Sequence, residues 1–126
     1  MRKIAKLVGV AALLTVLFSS AALALMGHQC AGSPCTGTNG PNKLYERGGN
    51  GTPDRIYGRG GGDVLLANEW TRDRDLLRGG RGKDRLNVND GDVRDAVYGG
   101  KRFDICIVDS RGELGGRCEA VRVHPG

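Results

Sequence analysis

Gly79-Gly80-Arg81-Gly82-Lys83-Asp84-Arg85-Leu86-Asn87 has a looser relative on either side of it. Gly58-Arg59-Gly60-Gly61-Gly62-Asp63-Val64-Leu65-Leu66 precedes it, and Gly99-Gly100-Lys101-Arg102-Phe103-Asp104-Ile105-Cys106-Ile107 follows. Each part of the nine-residue unit has a separate physical job. The glycines admit a tight turn with positive φ. The Asp brings hard carboxylate oxygens to the turn. The Asp-x-apolar segment alternates as a short strand does, with one side chain facing inward.

The theme extends beyond these copies. Leu44, Ile56, Leu65, Leu77, Leu86, Val97 and Cys106 follow one another at gaps of 12, 9, 12, 9, 11 and 9 residues. Two residues before the last six stand Asp54, Asp63, Asp75, Asp84, Asp95 and Asp104, and Asn42 fills that place before Leu44. Long and short connections therefore alternate, and two strands make one turn of 20 to 21 residues. A fixed period of this length marks a solenoid, whose units bury their apolar faces only by stacking on neighbours. The expected fold is all-β: a coil of about three to four turns, with two parallel sheets facing each other across a thin core.

In this array the chain resembles the haemolysin-type (repeats-in-toxin) calcium-binding family, over roughly residues 36 to 107. Gly79 to Asn87 fits that family's G-G-x-G-x-D-x-U-x pattern at every fixed position. The opening Gly37-Thr38-Asn39-Gly40-Pro41-Asn42-Lys43-Leu44 is similar to the family's G-T-x-x-x-D-x-U entry. The resemblance implies a right-handed parallel β-roll with calcium held between loops of successive turns. Carried onto this chain, the short-loop ligands are Asp63, Asp84 and Asp104 with carbonyls around Gly58, Gly60, Gly79, Gly80, Gly82 and Gly99. Asp84 would be shared by two between-turn ions. On the long-loop edge, Asp54, Asp75, Asp90, Asp92 and Asp95 form a possible second set. There the interspersed Arg72, Arg74 and Arg94 favour an alternative, in which the carboxylates cap turns and pair with arginine.

The ends of the chain supply context. Arg2, Lys3 and Lys6 precede the apolar run Leu7 to Phe18, and Ala22-Leu23-Ala24 fits a cleavage site, so residues 1–24 read as a secretory signal. Residues 25–41 form an entry arm, 42–107 the roll, and 108–126 a cap and tail. The apolar run is short for a membrane span, and none is expected in the mature chain. Of 19 Lys and Arg, three lie in the signal, leaving 16 against 14 acidic residues. That near balance gives no reason to expect nucleic acid as a partner.

Four cysteines in an exported chain with a small core read as disulfide staples. Three pairings are possible, and proximity favours Cys30–Cys35 and Cys106–Cys118. A zinc site from His28, Cys30 and Cys35 is the alternative, one ligand short of a closed site. No nucleophile-and-base constellation stands out, so the expectation is a secreted, non-enzymatic calcium-binding module. An alternative is an adhesive module for acidic glycans or cell-envelope polymers, using Trp70 and a basic strip of Arg55, Arg78 and Arg85.

Overall fold

The computed structural model describes residues 27–48 and 52–124, so the signal reading over 1–24 lies outside the described residues. The chain is a parallel β-solenoid of about four turns. One sheet has six strands, in the order β1 (His28–Gln29), β3 (Lys43–Tyr45), β5 (Val64–Leu66), β7 (Arg85–Asn87), β9 (Ile105–Val108) and β10 (Ala120–Val123). The other has four, in the order β2 (Cys35–Thr36), β4 (Arg55–Tyr57), β6 (Leu76–Arg81) and β8 (Ala96–Lys101). The segment 25–41, read as an arm, supplies β1 and β2 and thus the first turn.

The register follows the sequence period. Leu44 pairs with Leu65, Leu65 with Leu86 and Leu86 with Cys106, while Ile56 pairs with Leu77 and Leu77 with Val97. All seven residues are buried. Stacking like side chains in register lets each turn cover the apolar face of the one before, and a fully buried leucine contributes about 1.5–3 kcal/mol.

The alternation adds a second inward position, two residues after the first. In the six-stranded sheet it holds Glu46, Ala67, Val88 and Val108, all buried. In the four-stranded sheet it holds Gly58, Gly79 and Gly99. A Cβ built at Gly79 would collide with Asp84 Oδ2 and lie 2.6 Å from the Gly99 carbonyl oxygen; Gly58 faces Asp63, and Gly99 faces Asp104, in the same way. These glycines are required by steric contact, since their φ angles are not positive. They leave the interior space that the short-edge carboxylates fill.

Both disulfides form, Cys30–Cys35 and Cys106–Cys118. The second ties β9 to the approach to β10, which pairs with β9 in parallel from Ala120↔Ile105 to Val123↔Val108. The last edge of the six-stranded sheet is thereby moved outward to a short strand. A 3₁₀ turn, Arg111–Glu113, leads Leu114 into a bridge with Val97 and covers the end of the other sheet.

Replacing Gly79 with Ala should therefore destabilise the chain by about 1–3 kcal/mol through overpacking. Gly32→Ala, where the new methyl meets nothing within 4 Å, should change stability by less than about 0.5 kcal/mol. Denaturant unfolding of both variants checks the pair.

Candidate metal centre

The Asp of each Asp-x-apolar unit stands just before its strand, where its own N–H has no strand neighbour to accept it. The carboxylate one turn further on accepts it instead. On the short-loop edge Asn42 N donates to Asp63 Oδ1 at 2.8 Å, Asp63 N to Asp84 Oδ1 at 2.8 Å, and Asp84 N to Asp104 Oδ1 at 2.9 Å. Asp104 N ends the row on Glu119 Oε2 at 2.8 Å. On the long-loop edge Asp54 N donates to Asp75 Oδ1 at 2.8 Å and Asp75 N to Asp95 Oδ1 at 2.7 Å. The Asp95 N–H passes to Glu113. Two carboxylate ladders thus run along the solenoid, each closed by a glutamate of the C-terminal cap.

One oxygen of each rung is consumed in this way. Oδ2 of Asp63, Asp75, Asp84, Asp95 and Asp104 is buried and has no hydrogen-bond partner. The two edges differ in what surrounds those oxygens. On the short edge they face the glycines Gly58, Gly79 and Gly99 in single file. Among the described residues, no third carboxylate joins Asp63, Asp84 or Asp104 to make a cluster. Gly60 and Gly82 lie in the turns of that edge and Gly80 in the end of the strand Leu76–Arg81; a Cβ on Gly80 or Gly82 would run into the backbone of the preceding coil.

The long edge gathers carboxylates. Ligand atoms of Asp73, Asp75, Asp90 and Asp95 lie within 4.8 Å of one another. Neither Asp73 oxygen receives a hydrogen bond from another residue, though Asp73 is only 3% exposed. Oδ2 of Asp75, Asp90 and Asp95 is likewise buried and unpartnered, so each of the four residues carries at least one free oxygen. Two further trios adjoin it, Glu46 with Asp54 and Asp75, and Asp92 with Asp95 and Glu113.

These trios are less open to an ion. Asp54 is already neutralised by Arg47, whose Nε lies 2.6 Å from its Oδ1. Glu46 Oε1 holds the next long loop by accepting from the Glu69 and Trp70 N–H groups at 2.6 and 3.0 Å. Asp92 accepts from the Arg72 and Arg94 N–H groups at 2.7 and 2.8 Å. Asp109, outside the clusters, holds the loop at Asp90 and Gly91 similarly. Arginine pairing does not account for the central four: Arg47–Asp54 is the sole ion pair among the described residues.

Burial without compensation raises every carboxyl in the cage. Asp73 is pushed up to about 6, Asp75 to about 8, Asp90 to about 7 and Asp95 to about 9. Desolvation is the largest cause in each case, and mutual repulsion adds to it. On the short edge Asp63 rises to about 7 and Asp104 to about 6, and Asp84 also rises, again chiefly by desolvation.

Several of these features escaped the sequence reading. Asp73 was passed over because it has no counterpart one turn on, where Val93 and Arg94 stand. Glu46 carries a legible signal, being the one charge in the inward column Glu46, Ala67, Val88, Val108. Arg55 and Arg78 share the outer face of the four-stranded sheet, but Arg85 lies on the other sheet, so the three do not form one strip. Trp70 is half-buried against Gly48, and Arg78 stacks between Tyr57 and Tyr98 at 5.8 and 5.2 Å from their ring centroids. Comparison with known proteins returns no matching family model, curated protein or solved structure.

A carboxyl with a raised folded pKa binds its proton more tightly folded than unfolded. Its stabilising contribution is complete at acid pH and is lost as pH rises from the unfolded value of 3.8 through the folded one. In chelator, the melting temperature should therefore fall steadily between about pH 5 and about pH 9. Thermal melts across that range check the sign; a rise with pH would mean the cage carboxylates are stabilised as anions by the protein alone.

Proposed function

We propose that this chain is a secreted cation-binding β-solenoid whose ion is calcium, held chiefly by Asp73, Asp75, Asp90 and Asp95. The observation that carries the reading is that ligand atoms of these four aspartates lie within 4.8 Å of one another, and each of the four has a buried oxygen with no hydrogen-bond partner. Calcium takes six to eight hard oxygens in a flexible shell, which carboxylates and a few waters or carbonyls can supply. Magnesium demands a near-ideal octahedron and keeps its waters. Zinc prefers nitrogen and sulfur; His28 and His124 are exposed at the ends of the described chain, and all four cysteines are bonded to each other.

The resemblance to the haemolysin-type calcium-binding repeats supports the same ion by a different route, with its site moved to the long-loop edge. Two disulfides fit an oxidising compartment and agree with the N-terminal signal reading. In this account the ion joins two successive long loops to the ladder and stabilises the folded coil, so the protein acts as a binding or structural module rather than a catalyst.

Asp73 offers the cleanest test because it has no place in either ladder. Wild-type protein should melt higher in calcium than in chelator, by an increment approaching about 2.7 kcal/mol at a hundredfold excess over Kd. Asp73→Asn should lose most of that increment and remain folded in chelator. Asp84→Asn keeps an acceptor for its ladder bond and should keep both its stability in chelator and the increment. Loss of the increment in Asp84→Asn alone would place the ion on the short-loop edge.

A further inference from the structure

Ten of the 14 acidic residues are buried: Glu46, Asp54, Asp63, Asp73, Asp75, Asp84, Asp95, Asp104, Asp109 and Glu113. Every arginine in the described residues except Arg47 is exposed. The described residues, which carry 16 of the 19 Lys and Arg and all 14 Asp and Glu, therefore present a strongly basic exterior around an acidic interior.

This basic surface is concave beside the long loops. Arg55, Arg74 and Arg94 border a groove of about 560 Å³ on the outer face of the four-stranded sheet, next to the long loops. Arg74 and Arg94 each stand two residues before the register pair Leu76 and Ala96. Their backbones therefore follow one another at about one strand spacing, roughly 4.8 Å in a parallel sheet. Leu76 and Ala96 form an apolar floor, and Ser33, whose Oγ accepts from Arg55 N at 3.0 Å, closes one wall. None of the three guanidiniums has a carboxylate partner among the described residues. Asp75 reaches the groove but is 2% exposed. Stacked, unpaired like charges cost free energy unless an anion lies between them.

We propose that this groove binds an acidic polysaccharide, its sugar carboxylates or sulfates taken by Arg55, Arg74 and Arg94 and its ring faces resting on Leu76 and Ala96. Guanidinium forks match such planar or tetrahedral oxyanions with paired hydrogen bonds. Repeated anions along one polymer suit Arg74 and Arg94, which follow one another by one solenoid turn, with Arg55 beside them. Single-stranded nucleic acid carries repeated anions too, but its binding sites add free aromatic platforms for the bases. No aromatic residue lines this groove, and Tyr57 and Tyr98 are engaged by Arg78.

The groove arginines are none of the cage carboxylates, so a failed calcium titration leaves this inference standing. The test is calorimetric titration of the folded chain with a uronic-acid hexasaccharide, a neutral glucan of equal length and a short single-stranded DNA, in calcium-saturated buffer. The uronate should bind, and the neutral glucan should not. Arg74→Gln with Arg94→Gln should weaken uronate binding about tenfold or more. The pair Arg85→Gln and Arg122→Gln, exposed on the other sheet, should change it less than about twofold. Circular dichroism of each variant separates lost binding from lost fold. Equal losses from both pairs, DNA binding as tight as uronate, or no uronate binding by folded wild type would overturn the proposal.

Discussion

The structure depends on a carboxylate accepting the backbone N–H of the turn before it. Without that bond, each strand entry would bury an unpaired donor, at a cost of about 1–3 kcal/mol. With it, successive turns are held in register at both edges by Asp75, Asp95, Asp84 and Asp104. An asparagine would serve that bond alone, as Asn42 Oδ1 accepts the Thr38 N–H at 2.7 Å. An aspartate also offers a second oxygen, and the fold must then place that oxygen somewhere.

The two edges solve this differently. On the short edge, glycine at Gly58, Gly79 and Gly99 gives the second oxygen room and nothing more. On the long edge, loops of seven or eight residues return Asp73 and Asp90 to the ladder, and the free oxygens meet. Removing carboxylates from water and setting like charges side by side is unfavourable, which is what drives their pKa values up. A hard divalent cation relieves both costs together. The burial of negative charge has an outward consequence, because the arginines that balance it remain on the surface and are mostly unpaired.

Much of this was legible in the sequence. The inward column from Leu44 to Cys106 announced itself through alternating gaps, because stacking in a parallel coil forces like residues into register. The cysteine pairing followed from proximity in sequence, with separations of 5 and 12 residues. The first turn was not legible, because His28–Gln29 and Cys35–Thr36 contribute two-residue strands with no buried leucine or isoleucine to mark them. The centre of the cage was not legible either. Asp73 departs from the period, and what distinguishes it is three-dimensional: burial with no partner. The ladder function of Asp63, Asp84 and Asp104 was hidden for the opposite reason, since a residue type suited to calcium serves a backbone N–H equally well.

The central claim is that the long-loop cage, rather than the glycine-rich short loops, is where the ion belongs. A crystal structure of the chain grown with calcium, with anomalous diffraction to locate it, addresses this directly. The account predicts an anomalous peak between Asp73, Asp75, Asp90 and Asp95, within 2.3–2.6 Å of their oxygens as calcium requires. A peak between the Gly79–Asp84 loop and its neighbours, or no peak on either edge at saturating calcium, would contradict it.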